Sequence, residues 1–309
     1  MSAAPRLPDL AGRTVLVTGA NGGVGFWTSA QLAGAGARVL LACRSAERGD
    51  RAARALVARV PGADVDVVPL DLASLASVDA CVAAVREDLD AIVANAGLTP
   101  AGGRARHRRT TVDGFEEAHG HQRARALRAG RRARPAAAGG RSGRDARIPR
   151  PPLLAPRPRR PRGERRMPAL VRYGRSKTAC MMLGDALDRR WRAAGSDRVA
   201  LSAHPGYAVD ALTPPQDPAE RARGVDAARR RLARAGRVLV QGKDAGAWPV
   251  VHAAVADGVT GGASWGPAGP LELKGPPAPA VVAAHARSTA VADQLWAAAE
   301  DATGIRFRP

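Results

Sequence analysis

The sequence predicts an α/β fold in which helices cover both faces of a doubly wound parallel sheet. Short apolar, β-branched runs alternate with segments of helical period along most of the chain. The first run ends in a glycine-rich turn, Thr18-Gly-Ala-Asn-Gly-Gly-Val-Gly25. A chain of 309 residues can bury one large core without disulfides or a structural metal. We therefore expect a single domain over residues 1–309.

The elements follow in an order typical of such a fold. After the first strand and its glycine turn, the spacing of apolar residues predicts a helix that continues through residues 31–35. Further helices are predicted at residues 74–86 and 173–193. Strands are predicted at residues 13–18, 38–42, 65–69, 91–94 and 198–203. Because strands and helices alternate, the strands should run parallel.

The net charge of +20 is concentrated in one part of the chain. Residues 104–172 contain 21 Arg and five acidic residues, a balance of 21 − 5 = +16. The remainder carries 27 − 23 = +4. The charge is therefore local, and it does not indicate a protein whose whole surface attracts polyanions.

The glycine turn has the residues that a phosphate-binding loop needs. Gly19 permits a tight exit from the strand, Gly23 lets the backbone approach a pyrophosphate, and Gly25 allows close packing of the helix. The start of that helix supplies partial positive charge. Asn21 and Val24 complete the candidate nucleotide-binding turn. The alternative is a strand-to-helix turn without a ligand, and the absence of a Gly-Lys-Ser/Thr ending disfavours a nucleoside triphosphatase.

The second strand ends in Cys43-Arg44-Ser45. Folds that bind NAD usually place an acidic residue here, against the ribose 2′-hydroxyl, whereas an Arg suits a 2′-phosphate. Arg44 therefore favours NADP(H) over NAD(H). A solvated surface Arg is the alternative interpretation.

Four further motifs make the nucleotide-binding interpretation more specific. They are Asp71-Leu72, Asn95-Ala96-Gly97, Tyr173-Gly-Arg-Ser-Lys177 and Pro205-Gly206. With the glycine turn, they resemble the short-chain dehydrogenase/reductase family, particularly its retinol-dehydrogenase-like and bacterial ketoreductase branches. The resemblance covers residues 10–120 and about 173–280 and implies a Rossmann-type domain.

The resemblance also assigns places to these residues. It implies that Asp71, with Leu72, contacts the adenine end of the cofactor. Asn95, Ala96 and Gly97 would line the cofactor cleft. Pro205 and Gly206 would lie beside the nicotinamide.

Tyr173 and Lys177 are the candidate catalytic residues. They are four positions apart, so on a helix they share one face. A nearby ammonium group favours the phenolate form of a Tyr and brings the phenol into range for proton transfer. By resemblance, Tyr173 exchanges a proton with a substrate carbonyl or alcohol, and Lys177 also holds the nicotinamide ribose. Taken alone, Tyr-x-x-x-Lys is a common accident on helices.

Residues 120–170 do not fit this pattern. The family has a Ser on the fifth strand and an Asn on the preceding helix, whereas this segment is rich in Arg, Ala, Pro and Gly, as disordered chains are. In a GC-rich gene, the codons for residues 122–129 read one nucleotide later are compatible with Asn-Val-Leu-Gly-His-Phe-Ala-Leu, the expected helix. The same offset over residues 142–149 permits a strand that ends in Ser. We therefore expect a frame slip near Gly120 that is restored before Tyr173; a genuine Arg-Pro-rich insertion is the alternative.

If the polypeptide has the sequence as written, the fifth strand and its helix should be disrupted, which would leave the fourth strand without its parallel neighbour. The enzyme would then be impaired or inactive. Two other interpretations stay open. One is a nucleotide-binding pseudoenzyme, and the other, which is disfavoured, is a binder of nucleic acid or an acidic partner through residues 123–166, which contain no aromatic residue for base stacking.

Several weaker expectations complete the analysis. Cys43, Cys81 and Cys180 show no metal-binding or paired spacing and resemble reduced thiols, so we expect a cytoplasmic protein that binds no metal. No apolar stretch is long enough to span a membrane. Residues 207–242 should cover a small carbonyl or alcohol substrate. The identity of the substrate and the oligomeric state, including a homo-oligomer, stay open.

The frame slip can be tested at the level of the gene. Resequencing the coding DNA across codons 110–175 should reveal two compensating insertions or deletions, which restore the Asn-containing helix and the strand that ends in Ser. Replicate reads that reproduce the printed sequence would contradict the slip and establish the insertion.

Overall fold

The computed structural model describes residues 5–97, 133–138, 169–218 and 240–307, with the backbone alone at residues 133–138 and 169–173. An eight-stranded sheet of order β3-β2-β1-β4-β5-β6-β7-β8 forms its centre. The pairs from β3 to β7 are parallel, and β8 runs antiparallel to β7. The predicted α/β doubly wound domain is thus confirmed.

The bounds of the elements agree closely with the predicted ones in the amino-terminal half. The strands are β1 Thr14–Thr18, β2 Arg38–Cys43, β3 Val65–Pro69, β4 Leu89–Val93, β5 Ala133–Ala138, β6 Leu201–Ala203, β7 Ser264–Pro267 and β8 Pro277–Pro279. The helices are α1 Gly23–Gly34, α2 Ala46–Arg59, α3 Leu75–Ala84, α4 Ala169–Ala193, α5 Lys243–Gly246, α6 Trp248–Val255 and α7 Thr289–Thr303. Helix α2, the elements after β6 and the short 3-10 turns, among them Asp210–Leu212 and Pro270–Glu272, were not predicted from the sequence.

The expectation that β4 lacks a parallel neighbour is wrong. The backbone of β5 lies between β4 and β6, where Ile92 is opposite Pro135 and Ala137 is opposite Ser202. The pairing uses main-chain N–H and C=O groups, which every residue except proline supplies in full, so an alanine-rich run can form the strand. Pro135 has no N–H to donate, and the register shifts between Leu89 and Ala91. The helix expected to be disrupted falls on residues that the structure does not describe.

The main core lies between the sheet and α1, α2 and α6. Val15, Val17 and Val39 are fully enclosed, as is Phe26 of α1. Strands buried on both faces account for the nearly continuous apolar runs that predicted them. This core holds β1 and α1 rigid, so that the turn between them has a fixed shape.

Helix α4 is joined to the rest of the domain by a buried carboxylate. The Asp188 side chain is 3% exposed and pairs with Arg192. Its Oδ1 accepts a hydrogen bond of 3.0 Å from the backbone N–H of Ala200, just before β6. A Cβ on Gly261 would overlap this carboxylate, so the loop before β7 also packs against it. Asp188 thus fixes α4 relative to β6 and β7.

Two predictions from composition can be compared with the described residues. Cys43 and Cys81 are buried, Cys180 is half-buried, and none forms a disulfide. Burial raises the pKa of the Cys43 and Cys81 thiols, as expected of unreactive core cysteines. No helix in the described part of the chain has the length and apolar character needed to cross a bilayer.

Replacing Asp188 with Ala should lower the free energy of unfolding by about 1–3 kcal/mol, because a buried N–H loses its acceptor. Asp185→Ala is the matched control on the same helix. Asp185 is 41% exposed and pairs with Arg189 across one helical turn, an arrangement worth less than about 1 kcal/mol. Urea unfolding measures both variants, and equal losses would contradict the anchoring role of Asp188.

Candidate functional site

The candidate site begins where the carboxyl ends of β1 and β4 meet. The Asn95 side chain donates from Nδ2 to the carbonyl oxygen of Thr18 at 3.0 Å. The backbone N–H of Ala96 donates to Thr18 Oγ1 at 3.0 Å. Asn95 and Ala96 therefore tie the end of β4 to the last residue of β1, at the edge of the sheet from which α1 departs.

The glycine turn is closely packed against this junction. Gly19 has φ of +65°, and a Cβ there would lie 2.8 Å from Cα of Ala96. A Cβ on Gly25 would overlap Asn95 Nδ2 and would lie 2.5 Å from the carbonyl oxygen of Gly19. Gly23 has φ of +59° and begins α1. These three glycines form a cradle with no side chains of its own, at the partially positive end of a helix.

The other two predicted residues of the turn have supporting positions. The Asn21 backbone N–H hydrogen-bonds to the Cys43 thiol at the end of β2. Val24 is half-buried and packs against the main core. Both therefore stabilise the shape of the turn.

Arg44 lies at the same edge of the sheet as the glycine cradle. Thr18 is opposite Ala42 in the β1–β2 pairing, and the Gly19 N–H donates to the Ala42 carbonyl at 2.9 Å. Arg44 follows two residues later and is exposed. Ser45 then caps α2 by accepting a hydrogen bond from the Arg48 N–H at 3.3 Å. An exposed guanidinium is thus held between a fixed strand and a capped helix.

Asp71 and Leu72 follow β3 and differ in their surroundings. Asp71 Oδ1 accepts a hydrogen bond of 2.9 Å from the Ala73 N–H, and the Asp71 N–H donates to Ser77 Oγ at 2.8 Å. These contacts shape the turn that leads into α3. Leu72 is only 8% exposed and packs in a separate core cluster with residues of β1, β2 and α3.

Helix α4 approaches the end of β4 through Lys177. Its Nζ lies 3.0 Å from the position that a Cβ on Gly97 would occupy, so Gly97 leaves the space that the ammonium group fills. The neighbouring Ser176 is buried at 2% exposure. Tyr173 lies on α4, four residues before Lys177, and its side chain is outside the described part of the structure. The structure therefore brings Lys177, Gly97, Asn95 and the glycine cradle together.

Pro205 and Gly206 follow β6 and are braced on several sides. Gly206 has φ of +63°, and a Cβ there would overlap the Leu273 carbonyl. The Gln241 side chain donates to the Pro205 carbonyl at 2.8 Å. The Gly206 N–H donates to His204 Nδ1 at 3.3 Å, while His204 Nε2 lies 3.0 Å from a carboxylate oxygen of Glu272. This loop is therefore a rigid part of the cleft edge.

The described ends of the predicted substrate-covering segment, residues 207–218 and 240–242, meet each other. Ala208 forms a parallel bridge with Gln241, and the Val209 N–H donates to the Gln241 carbonyl at 2.9 Å. Residues 219–239 lie outside the described residues, so a role in covering the substrate stays a prediction.

Residues that the sequence analysis missed also approach the glycine turn. Gln216 Nε2 lies 3.5 Å from the Cβ position of Gly22, and Lys243 Nζ lies 3.8 Å from that of Gly23. The rarity of lysine could have drawn attention to Lys243, because only three of the 48 Lys and Arg residues are lysines. Among the described residues, no three His, Cys, Asp or Glu side chains are grouped as metal ligands would be.

The fold and the cradle define a Rossmann-type nucleotide-binding domain, and comparisons with known proteins agree. Residues 13–117 match the family model for short chain dehydrogenase. Dehydrogenase/reductase SDR family member 13 of Bos taurus is 48% identical over 99 residues, 31% of this chain and 26% of that protein. Retinol dehydrogenase 13 of Homo sapiens is 38% identical over 117 residues, 37% of this chain and 34% of that protein. The matches thus span about a third or less of these curated relatives.

A crystal structure of an uncharacterized protein from Mycobacterium paratuberculosis superposes over 100% of both chains, with a TM-score of 0.73 and 28% identity. The similarity of fold therefore extends beyond the segment that the family model matches. By sequence, residues 13–117 match the short-chain dehydrogenase/reductase family.

The close packing of the glycine cradle predicts different effects when one methyl group is added at two positions of α1. Gly25→Ala should destabilise the domain by about 1–3 kcal/mol and should abolish nucleotide binding, because its Cβ overlaps Asn95 and the Gly19 carbonyl. Gly34→Ala is the matched control in the same helix. A Cβ there meets nothing within 4 Å, so this variant should be neutral or more stable by about 0.4–1 kcal/mol.

Urea unfolding and nucleotide titration together test the pair. Wild-type stability and nucleotide affinity in Gly25→Ala would contradict the close packing of the cradle.

Proposed function

We propose that this protein is an NADP(H)-dependent oxidoreductase that interconverts a carbonyl group and an alcohol on a small molecule. The observation that carries the proposal is the position of Lys177. The ammonium group of the Tyr-x-x-x-Lys segment lies against Gly97, and the Asn95-Ala96-Gly97 motif also packs on the glycine cradle. Nucleotide-binding and catalytic motifs that are distant in sequence therefore meet at one edge of the sheet.

The residues present fit a dinucleotide. A pyrophosphate needs close approach to backbone N–H groups and positive charge, and the cradle at Gly19, Gly23 and Gly25 offers both without obstructing side chains. Pro205 and Gly206 would border the nicotinamide, with Asn95, Ala96 and Gly97 along the cleft. The carboxyl end of the strands is where such ligands bind in open α/β sheets.

Arg44 supports the choice of NADP(H) over NAD(H). Its exposed guanidinium follows β2 at the same edge as the cradle, where it can form charge-assisted hydrogen bonds with a 2′-phosphate. Asp71 would contact the adenine end. The interior position of Leu72 supports an indirect role, since it packs beneath the turn that carries Asp71.

The chemistry follows from these side chains. When bound, the nicotinamide supplies or accepts the hydride. Tyr173 donates a proton to the substrate oxygen in the reducing direction and takes it back in the other. Lys177 favours the phenolate form electrostatically and holds the nicotinamide ribose. Small carbonyl compounds and alcohols are therefore the proposed substrates.

Turnover of the chain as written should be slow. The sequence has no recognisable equivalent of the family Ser and Asn, which orient the substrate and a proton-relay water. Loss of one such hydrogen bond costs about 2.7–4 kcal/mol of barrier by analogy with oxyanion-hole deletions, or roughly a hundred- to a thousandfold in rate. An NADP-binding protein without turnover is the alternative that this deficit favours.

The proposal is tested by titrating the protein with NADPH and NADH, followed by fluorescence, and then by measuring NADPH consumption with small ketones and aldehydes. NADPH should bind more tightly than NADH. Replacing Arg44 with Ser should weaken NADPH binding about 10- to 100-fold, equivalent to about 1.5–3 kcal/mol for a charged hydrogen bond, and should leave NADH binding unchanged.

Arg48→Ser, one turn along on the exposed side of α2, is the control and should change neither affinity. Slow NADPH consumption that Tyr173→Phe abolishes would support the enzyme. Binding without consumption would support the pseudoenzyme, and failure to bind either nucleotide would overturn the proposed function.

A further inference from the structure

The glycine cradle has a second, unassigned neighbour in Lys243. Its Nζ and Cδ lie 3.8 and 3.9 Å from the Cβ position of Gly23, which is the first residue of α1. The Lys243 side chain is 24% exposed, so most of it is covered, and its ammonium group lies beside the helix N-terminus. A cation at this point lies where a pyrophosphate would meet the turn.

The position of Lys243 is fixed by contacts on two sides. Its backbone N–H donates to Thr213 Oγ1 at 2.8 Å, and the Thr213 hydroxyl in turn donates to the Val209 carbonyl at 2.7 Å. Within α5, which Lys243 begins, the Asp244 carbonyl accepts a hydrogen bond of 2.7 Å from Gln31 of α1. The lysine is thereby attached both to the loop after β6 and to the helix that carries the cradle.

The loop after β6 is also held against α1 and α2. Arg59, at the end of α2, donates to the carbonyl oxygens of Pro215 and Gln216. Its guanidinium lies 4.6 Å from the ring centroid of Trp27 in α1. These contacts leave little freedom to the backbone around Lys243, so the cost of ordering its side chain for a ligand is reduced.

Asp210 is the ion-pair partner of Lys243, and the two differ in exposure. The Asp210 side chain is 80% exposed, so it can turn toward water while Lys243 stays enclosed. Because the Asp210 carboxylate lies largely in water, this ion pair contributes little stability. A pyrophosphate, which carries more charge and more acceptor oxygens, would therefore displace the carboxylate readily.

We propose that Lys243 is a binding residue for the pyrophosphate of the cofactor, and that Asp210 is its counter-ion in the absence of nucleotide. This inference rests on the proposed function. Lysine suits the task because its ammonium group is a compact point charge with three donors. The N-terminus of α1 and Lys243 would then hold the same phosphates from two sides.

A simpler role for Lys243 would be to neutralise Asp210. Without the lysine, the carboxylate would repel phosphates, and nucleotide binding would weaken even if Lys243 never contacted the ligand. The two roles separate when Asp210 is replaced first. If Lys243 contacts phosphate, removing it in an Asp210→Asn background should still weaken NADPH binding. If it only neutralises Asp210, removing it in that background should leave NADPH binding unchanged.

The experiment measures NADPH affinity at low ionic strength for the full-length wild type, Asp210→Asn, Lys243→Met and the double variant. Asp210→Asn should bind NADPH more tightly, since a negative charge is removed. Lys243→Met should weaken binding in both backgrounds, by about tenfold or more in the Asp210→Asn background. The loss should shrink as salt is added, because a charge contact is screened.

Arg306→Gln is the charge-matched control. Arg306 follows α7 and is an exposed cation that pairs with Glu300 and Asp301 of that helix. It should leave NADPH affinity unchanged. Adenosine 2′-monophosphate, which has no pyrophosphate, should bind equally to the variants with and without Lys243. Thermal unfolding is compared across the set to detect folding defects.

Equal NADPH affinities of Asp210→Asn and the double variant would overturn the inference and leave the proposed function intact. Equal losses for adenosine 2′-monophosphate and NADPH would also overturn it, because the effect would not be specific to the pyrophosphate. A wild-type protein that binds neither NADPH nor NADH would overturn the proposed function and this inference together.

Discussion

The hydrogen bond from the Asn95 amide to the Thr18 carbonyl determines the geometry of the candidate site. It joins the ends of two adjacent parallel strands, and the same amide occupies the space that a side chain at position 25 would need. Asn95 thus connects the strand ends to the start of α1, and the absence of a Cβ at Gly25 permits all three to approach. Such close packing is possible because the cores around β1 and α1 are rigid.

Helix α4, which carries the candidate catalytic residues, meets the same junction. Gly97, two residues after Asn95, leaves room for the Lys177 ammonium group, while Asp188 on α4 fixes that helix to the start of β6. Helix α4 is therefore held in two places, near the end of β4 through Lys177 and at the start of β6 through Asp188. The position of the Lys177 cation beside Gly97, after β4, and the glycine cradle at the start of α1 both follow from the same arrangement of strand ends.

Short-range patterns were sufficient to predict the glycine cradle and the strands around it. Gly19 and Gly25 act through backbone conformation and the space beside them, which local sequence reveals. Lys243 and Asp210 could not be found in this way, because their relation to Gly23 depends on where the loop after β6 crosses α1 and α2. The pairing of β5 was missed for a different reason: the sequence analysis judged residues by side-chain character, whereas strand pairing uses the main chain. The motif Asp71-Leu72 did not reveal that its two residues have different surroundings. Asp71 shapes a turn, whereas Leu72 packs in the core.

Under the proposed function, nucleotide binding and turnover depend on different parts of this chain. The cradle, Asn95, Lys177, the Pro205-Gly206 loop and Lys243 all lie in described segments with defined contacts. By the resemblance, the Ser and Asn that orient substrate would fall in the segment around residues 120–170, and the family-model match ends at residue 117, just before it. Alteration of that segment would remove groups that act on the substrate and keep those that act on the cofactor. Affinity for NADPH should therefore survive a change that lowers the rate of hydride transfer, because the contacts for the two are made by separate elements.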